Sequence, residues 1–427
     1  MNIDYAARRD RIGRALNLGD TLLVAGAGQP VPKPEISDQQ LPFIAHQEYY
    51  YLAGLADVAG GVVAFDPRDP PSQAWHLFVP DVTEAERVWE GREQKPGEPL
   101  GRFPAWLAAR PGRPVALLGA PVSGVTPDAD RTVEVRAALA HARRVKEPAE
   151  IELMQRCAVA TTAGYASIQQ LLVPGVSERQ IQVELETGYF RHGAQKTGYD
   201  TIVGIGAQSA VLHGTPSPQR VARDGDFILI DSGAELERYV IDVTRTYVAG
   251  RPSGLQRELH QAVLHALLRA SDRCRPGAEW KDIHFGAALD LVASLVALGL
   301  MRGDPAQLVE REAHMLFFPH GIGHMLGLGV RDAGGLEPGR KKDPRPCLQT
   351  LRMDLILRPG YIVTVEPGLY FIPALLNDPA RRTKFADCVD WALVDRNLGL
   401  GGVRIEDNLL VTEGAPLNLT AAIPKDL

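Results

Sequence analysis

The chain has 427 residues and a formal net charge of −6. One hydrophobic core rarely supports this length, so we expect two domains. The mildly acidic balance argues against a general nucleic-acid binder and against a basic membrane-binding surface. The sequence has no apolar run of membrane-spanning length and no apolar signal region near its start, which predicts a cytoplasmic protein. Its four cysteines form no Cys-x-x-Cys pair and are typical of free thiols.

The first 140 residues alternate predicted strands with helical stretches. Charged residues 1–17 and the amphipathic segment 82–93 predict helices. Apolar, β-branched runs predict strands at residues 21–25, 61–65, 74–79 and 115–119. This alternation favours an α/β domain. We find no phosphate-binding loop in it and interpret it as a structural or substrate-shaping domain.

A proline that would open a helix marks the domain boundary, because residues 146–148 read Lys-Glu-Pro. We place the domains at residues 1–142 and 143–427. The second domain carries a faint internal repeat: Pro174-Gly175 and Pro276-Gly277 share one spacing, and each lies between two predicted helices. We therefore expect two similar halves, each a helix pair followed by strands.

Residues 227–247 contain two apolar runs around a polar centre, which predicts a hairpin. Asp231 and Asp242 are equally distant from a turn near Leu236-Glu237, so a symmetric hairpin would place the two carboxylates opposite each other. Like charges in that position are destabilising, and a buried unpaired carboxylate is costly. A bound cation removes both problems, so we infer a metal site.

Other candidate ligands follow along the chain. His320 and His324 are interleaved with glycine, which indicates a loop. Glu366 ends an apolar strand and is held extended by Pro367. Arg404 and Glu406 share one face of an alternating strand, for which a surface ion pair is the simplest interpretation.

Together, Asp231, Asp242, Glu366, Glu406 and His324 make four carboxylates and one imidazole. This charge suits two divalent ions, and the oxygen-rich set favours Mn²⁺, with Co²⁺ or Zn²⁺ as alternatives. Two ions about 3.5–4 Å apart can hold a bridging hydroxide and polarise a carbonyl group, so the predicted chemistry is hydrolysis.

These motifs resemble those of the metal-dependent pita-bread peptidases: prolidase, aminopeptidase P, creatinase and methionine aminopeptidase. The resemblance covers residues 145–427, whereas residues 1–140 match the creatinase-type N-terminal domain only loosely. It implies an α+β protein with a C-terminal pita-bread (creatinase-like) catalytic domain and a smaller α/β N-terminal domain. The motifs are Asp231-Ser-Gly, Asp242-Val-Thr-Arg-Thr, Pro319-His-Gly-Ile-Gly-His324, Thr364-Val-Glu366-Pro-Gly and Arg404-Ile-Glu406-Asp.

The resemblance also implies a role for each matching residue. Asp231 would bind one metal, His324 and Glu366 the other, and Asp242 and Glu406 would bridge both. Glu366 would also be the general base. The remaining implied roles are substrate contacts for His213 and His320, binding of the substrate carboxylate by Arg352, and support of the ligands by Tyr239, Thr244 and Arg404.

One position departs from the family pattern. Gly-x-x-Val-His-Asp is usual there, but this chain has Gly327-Leu-Gly-Val-Arg331-Asp332. Arginine can donate hydrogen bonds to a substrate, but it cannot release a proton near neutral pH. Arg331 could instead clamp a substrate carboxylate in a bidentate pair, which would favour dipeptides.

We expect a dinuclear hydrolase that cleaves the Xaa-Pro bond of dipeptides, as prolidase does. The first alternative is aminopeptidase P, which releases the first residue of Xaa-Pro-Yaa peptides. Further alternatives are a non-peptidase hydrolase on the same fold and a metal-binding or peptide-binding relative impaired by Arg331. The partner is a peptide with proline at its second position, not nucleic acid or a membrane, and relatives suggest a homodimer or homotetramer.

Arg331 generates a direct test. If arginine handicaps proton transfer, Arg331→His should raise peptidase turnover, since such catalysis typically contributes about 10²–10⁴-fold. Turnover on an Xaa-Pro peptide is the measurement. Loss of activity in the variant would contradict the handicap and identify Arg331 as a residue that the reaction uses.

Overall fold

The computed structural model describes residues 2–34 and 36–427, without the side chains of residues 36–39. The chain forms two compact units, Met1–Arg143 and Arg144–Leu427. Among the helices of these described ranges, none is long and apolar enough to cross a membrane.

The first unit is built on a mixed five-stranded sheet with the strand order β6-β5-β4-β1-β7. Its strands are β1 (Leu22–Gly26), β2 (Pro32–Lys33), β3 (Ile36–Gln40), β4 (Val62–Phe65), β5 (Trp75–Val79), β6 (Glu98–Pro99) and β7 (Val115–Gly119). Its helices are α1 (Tyr5–Ala15), α2 (Gln47–Ala53), α3 (Glu84–Glu90), α4 (Phe103–Ala108) and α5 (Ala129–Arg144). The four predicted strands are present in this sheet. Phe78, Phe103 and Trp106 pack against its apolar side chains and form the core.

The helices of the second unit contribute part of its apolar core, together with strands and loops. They are α6 (Pro148–Ser167), α7 (Glu178–Arg191), α8 (Gly254–Arg273), α9 (Trp280–Ala297), α10 (Pro305–Glu310), α11 (Pro346–Gln349), α12 (Pro373–Leu376), α13 (Pro379–Lys384) and α14 (Trp391–Arg396). Capping boxes begin α7 at Ser177 and α8 at Ser253.

The strands of the second unit are short and form several small sheets. They are β8 (Lys196–Thr197), β9 (Ile202–Ile205), β10 (Phe227–Asp231), β11 (Ala234–Leu236), β12 (Tyr239–Val240), β13 (Thr244–Val248), β14 (Gly335–Leu336), β15 (Met353–Asp354), β16 (Ile362–Val365), β17 (Gly368–Tyr370), β18 (Gly402–Arg404), β19 (Asp407–Leu410) and β20 (Leu417–Asn418). Two three-stranded sheets are central to the candidate site, with the orders β13-β10-β9 and β16-β19-β20.

The second unit contains the internal repeat that the sequence predicts. Gly175 separates α6 from α7 and Gly277 separates α8 from α9, and both glycines have positive φ angles, 100° and 84°. The Gly175 N–H donates to Ala222 O, and the Gly277 N–H donates to Leu357 O. Each helix pair is thus tied by an equivalent turn to a segment that leads into a sheet strand. Glycine is needed there because other residues avoid this backbone region.

The hairpin predicted for residues 227–247 is present, but its register differs from the predicted one by two residues. Its turn lies at Glu237 and Arg238, which have φ angles of 46° and 69°. The register therefore pairs Asp231 with Thr244, not with Asp242. Two consecutive positive φ angles are typical of a tight hairpin turn, but this sequence has no glycine or asparagine to indicate it.

A buried ion pair fixes the loop that carries Arg331. Lys146 Nζ lies 3.0 Å from Asp332 Oδ2, and both side chains are almost fully buried. The Asp332 carboxylate also accepts hydrogen bonds from the backbone N–H groups of Leu328 and Ala333. Lys146 follows α5 directly in the chain, so the start of the second unit holds this loop in place.

We expect Lys146→Met to destabilise the protein by about 3–5 kcal/mol, because it leaves the buried Asp332 charge without its ammonium partner. Urea unfolding monitored by fluorescence measures the change. The matched control is Arg358→Met, since Arg358 pairs with Glu337 at 2.7 Å and its side chain is 47% exposed. Loss of an exposed pair costs roughly 0–1 kcal/mol. Equal effects of the two substitutions would contradict the role given to the buried pair.

Candidate metal centre

The five predicted ligands converge at the ends of strands in the second unit. Asp231 ends β10, and Asp242 lies between β12 and β13. Glu366 directly follows β16, and Glu406 lies between β18 and β19. His324 lies in the glycine-containing segment that follows Phe318. Glu366 is partly buried and the other four are buried.

Three of these residues form a compact donor group. One ligand atom each of Asp242, His324 and Glu406 lies within 4.8 Å of the others. His324 Nε2 is 3.4 Å from Asp242 Oδ2 and 3.9 Å from Glu366 Oε1. His324 Nδ1 lies 3.0 Å from Met325 O, and since a carbonyl only accepts, Nδ1 carries the proton. In the neutral ring the Nε2 lone pair therefore points towards carboxylate oxygens, as a metal-binding imidazole requires.

Strand β16 positions His324 and Glu366 together. The Thr364 N–H donates to His324 O, and the His324 N–H donates to Thr364 Oγ1 at 3.1 Å. Gly323 makes this close approach possible, because a Cβ atom there would lie 2.1 Å from Thr364 O. The Glu366 N–H donates in turn to Ile322 O.

Asp242 and Glu406 are held by polar residues of the neighbouring strands. The Asp242 N–H donates to Asn408 Oδ1 at 2.9 Å. Thr244 Oγ1 donates to Glu406 Oε2 at 2.7 Å. The buried Arg245 donates to Glu406 O and pairs with Asp407 at 2.8 Å. Backbone contacts thus hold both residues, and a side-chain contact also holds Glu406.

Arg404 pairs with Asp231 inside the protein, so the surface ion pair with Glu406 was a wrong interpretation. Its Nη2 atom lies 2.6 Å from Asp231 Oδ2, and Nε donates to Thr244 Oγ1 at 2.9 Å. The alternation is broken, because β18 ends at Arg404 and β19 begins at Asp407. Arg404 is buried and neutralises one of the carboxylates.

Tyr199 is a site residue that sequence reasoning missed. Its hydroxyl contacts Asp231 Oδ1 at 2.6 Å and also Asp242 Oδ1. The tyrosine lies between β8 and β9 and belongs to none of the quoted motifs, so only the fold reveals it. Tyr239, expected to support the ligands, instead donates its hydroxyl to Glu150 of α6 at 2.6 Å.

Burial and mutual repulsion dominate the ionisation of the centre. Burial raises the pKa of Asp231 to about 6 and that of Glu366 to about 7. Burial and the neighbouring carboxylates raise the pKa of Glu406 well above its usual value. The pKa of Asp242 is lowered, because its hydrogen bonds with His324 and Tyr199 outweigh the effect of burial. An oxygen-rich donor set with this unfavourable charge and one imidazole lone pair fits divalent metal ions.

The carboxylates open into a cavity of about 590 Å³, which is also lined by His213, His320, Arg331 and Arg352. His320 Nε2 lies 2.8 Å from Tyr370 Oη, which accepts from Arg404 Nη1. Burial lowers the pKa of His213, and Arg404, Arg331 and Arg352 lower it further. A second cavity of about 540 Å³ shares His213, Arg331, Asp231 and Asp242 with the first. The cleft therefore continues on both sides of the carboxylates.

Comparisons with known proteins agree with this arrangement. Residues 152–413 match the family described as "Metallopeptidase family M24", and residues 5–105 match "Aminopeptidase P, N-terminal domain". A probable Xaa-Pro aminopeptidase of Coccidioides posadasii is 30% identical and covers 92% of this chain and 88% of its own. The Xaa-Pro aminopeptidase of Haemophilus influenzae is 30% identical over 99% of this chain and 95% of its own.

Solved structures give the same result. The aminopeptidase PepP of Pseudomonas aeruginosa has a TM-score of 0.79 and 26% identity, and the match covers 99% of this chain and 95% of that one. The relatives support the aminopeptidase alternative better than the dipeptidase reading. The chain is thus a peptidase with an aminopeptidase P-type N-terminal domain and a pita-bread catalytic domain, and it belongs to metallopeptidase family M24.

Proposed function

We propose that this protein is an Xaa-Pro aminopeptidase that releases the first residue of Xaa-Pro-Yaa peptides. The observation that carries the proposal is the cluster of four carboxylates and His324 in a cleft lined by basic residues. The two units would serve as the domains expected at residues 1–142 and 143–427. The relatives named above are described as Xaa-Pro aminopeptidases, and this chain matches them over nearly their full length. We therefore prefer this activity to that of a prolidase.

We propose two divalent ions, with Mn²⁺ preferred over Co²⁺ and Zn²⁺. Arg404 neutralises too little of the charge of Asp231, Asp242, Glu366 and Glu406 for a single ion to suffice. Carboxylate-rich sites with one imidazole suit Mn²⁺ better than thiolate-rich sites do. Such ions, when bound, would activate a water molecule and polarise the scissile carbonyl.

The residues of the chain would then perform three tasks. Glu366 would take the proton of the attacking water, because its carboxylate forms no hydrogen bond with any described residue. Arg404 would keep Asp231 ionised. His213 and Arg331 line both cavities and would donate hydrogen bonds to the substrate carbonyl, which Arg331 can do at any working pH.

We further propose that the chain assembles into a homodimer or homotetramer. Val88 and Trp89 of α3 are 71% and 84% exposed, and adjacent large apolar side chains on a surface favour protein contacts. Sedimentation velocity should give a multiple of the 46.4 kDa chain mass. A single species with the mass of one chain would contradict this proposal.

The test of function is hydrolysis of an Xaa-Pro dipeptide and the matching Xaa-Pro-Yaa tripeptide by Mn²⁺-loaded protein. We expect metal-dependent release of the first residue from the tripeptide and much slower cleavage of the dipeptide. A chelated sample should be inactive. Elemental analysis of the loaded protein should give about two metal ions per chain, as a two-ion site requires.

Asp242→Ala is the control for the metal centre, since it removes the carboxylate nearest to His324 Nε2. We expect this variant to bind less metal and to lose activity while remaining folded. Cleavage of the dipeptide alone would restore the prolidase interpretation. Two bound ions without cleavage of either peptide would refute the Xaa-Pro assignment.

A further inference from the structure

Three basic side chains from separate segments line the same cavity as the carboxylates. Arg331 precedes β14, Lys342 lies between β14 and α11, and Arg352 immediately precedes β15. All three are exposed. Lys342 belongs to none of the motifs described above, and it places a positive charge in the cleft next to two arginines.

Lys342 and Arg352 also line a side cavity of about 190 Å³, which includes none of the five candidate metal ligands. The two carboxylates of that side cavity are already paired: Asp343 with Arg345 at 3.0 Å, and Asp354 with Arg340 at 2.5 Å. The charges left over in this side cavity are therefore positive.

None of the three cations forms an ion pair with a carboxylate of the described residues within 4.0 Å. Lys342 Nζ donates only to the backbone oxygen of Gln349, at 3.2 Å. The neighbouring Arg340 and Arg345 are both paired with carboxylates, so Lys342 differs from the cations that lie close to it in the chain. Arg331 and Arg352 lower the pKa of His213, which lines the cleft. Their positive potential therefore reaches into the cleft.

Unpaired cations on the wall of a concave site attract anionic groups of a ligand. Arginine forms bidentate pairs with carboxylates, and lysine adds a mobile point charge. In a peptide, the matching anion is a carboxylate, which comes either from an acidic side chain or from the C-terminus of a short chain.

We propose that this cleft selects peptides with a carboxylate shortly after the Xaa-Pro bond, and that Lys342 is a specificity-determining residue. The inference rests on the proposed Xaa-Pro aminopeptidase function and adds a substrate class to it. The catalytic carboxylates would face the scissile bond, while Lys342 and Arg352, which share the side cavity, would face the downstream anion.

Three peptides separate the sources of the carboxylate: Ala-Pro-Gln-amide, Ala-Pro-Glu-amide and Ala-Pro-Gln with a free C-terminus. We expect Mn²⁺-loaded full-length protein to show a kcat/KM roughly fivefold to tenfold higher for each anionic peptide than for the neutral amide, since two or three partly exposed charge pairs contribute. The gain should lie mainly in KM and should shrink at high salt. A gain for only one anionic peptide identifies the source that the cleft recognises.

Lys342→Met should lower the preference for glutamate over glutamine at least threefold. Lys341→Met is the matched control, because Lys341 is also an exposed neighbour but lines neither the cleft nor the side cavity described above. This control should retain the wild-type preference. Equal loss in both variants would overturn the assignment of Lys342.

Equal kcat/KM values for the three peptides would overturn the charge selection but leave the aminopeptidase proposal intact. If no peptide is cleaved, calorimetry on the same Mn²⁺-loaded protein measures their binding. Tighter binding of the anionic peptides would then support the charge selection while refuting the peptidase assignment. Equal Kd values would overturn the inference.

Discussion

The repulsion among four carboxylates, three of them buried and one partly buried, is the constraint on which the second unit depends. Asp231, Asp242, Glu366 and Glu406 share one cavity, and burial raises the pKa of three of them. Such a cluster is unfavourable unless positive charge is brought to it. Arg404 supplies a permanent charge at Asp231, and His324 Nε2 lies 3.4 Å from Asp242 Oδ2. Divalent ions complete the balance, so metal binding and stability of this centre should be linked.

The fold keeps these carboxylates together by fixing the backbone on which they lie. Asn408 binds the backbone of Asp242, and Arg245 binds the backbone oxygen of Glu406, so a strand of each half of the repeat is tied to the other. Thr244 stands between Glu406 and Arg404 and contacts both. The ligands therefore cannot move apart to relieve their repulsion without breaking buried hydrogen bonds, each of which is costly to leave unmade. This rigidity is what a preformed metal site requires.

The sequence predicts which residues come together better than it predicts their geometry. Carboxylates in apolar strands, such as Asp231 and Glu366, can be recognised from the sequence, because a buried charge is costly unless another group compensates it. The pairing of Asp231 with Thr244 was not predictable, because the turn at Glu237 and Arg238 uses residues that rarely adopt positive φ. The sequence does not predict the role of Tyr199, because an isolated tyrosine belongs to no periodic pattern or motif. The sequence does predict the long helices around the two Pro-Gly turns, because capping residues and apolar periodicity both favour a helix in those segments.

The distribution of charge also makes the electrostatic potential differ between parts of the cleft. Its carboxylates line the main cavity, and two of its unpaired cations, Lys342 and Arg352, also line a side cavity that contains none of the ligands. A short peptide carries a positive N-terminus and a negative C-terminus, so this field favours one orientation over its reverse. The N-terminal amine would approach Asp231 and Asp242, and the following residues would extend towards Arg352 and Lys342. An enzyme that removes a single N-terminal residue would need this polarity.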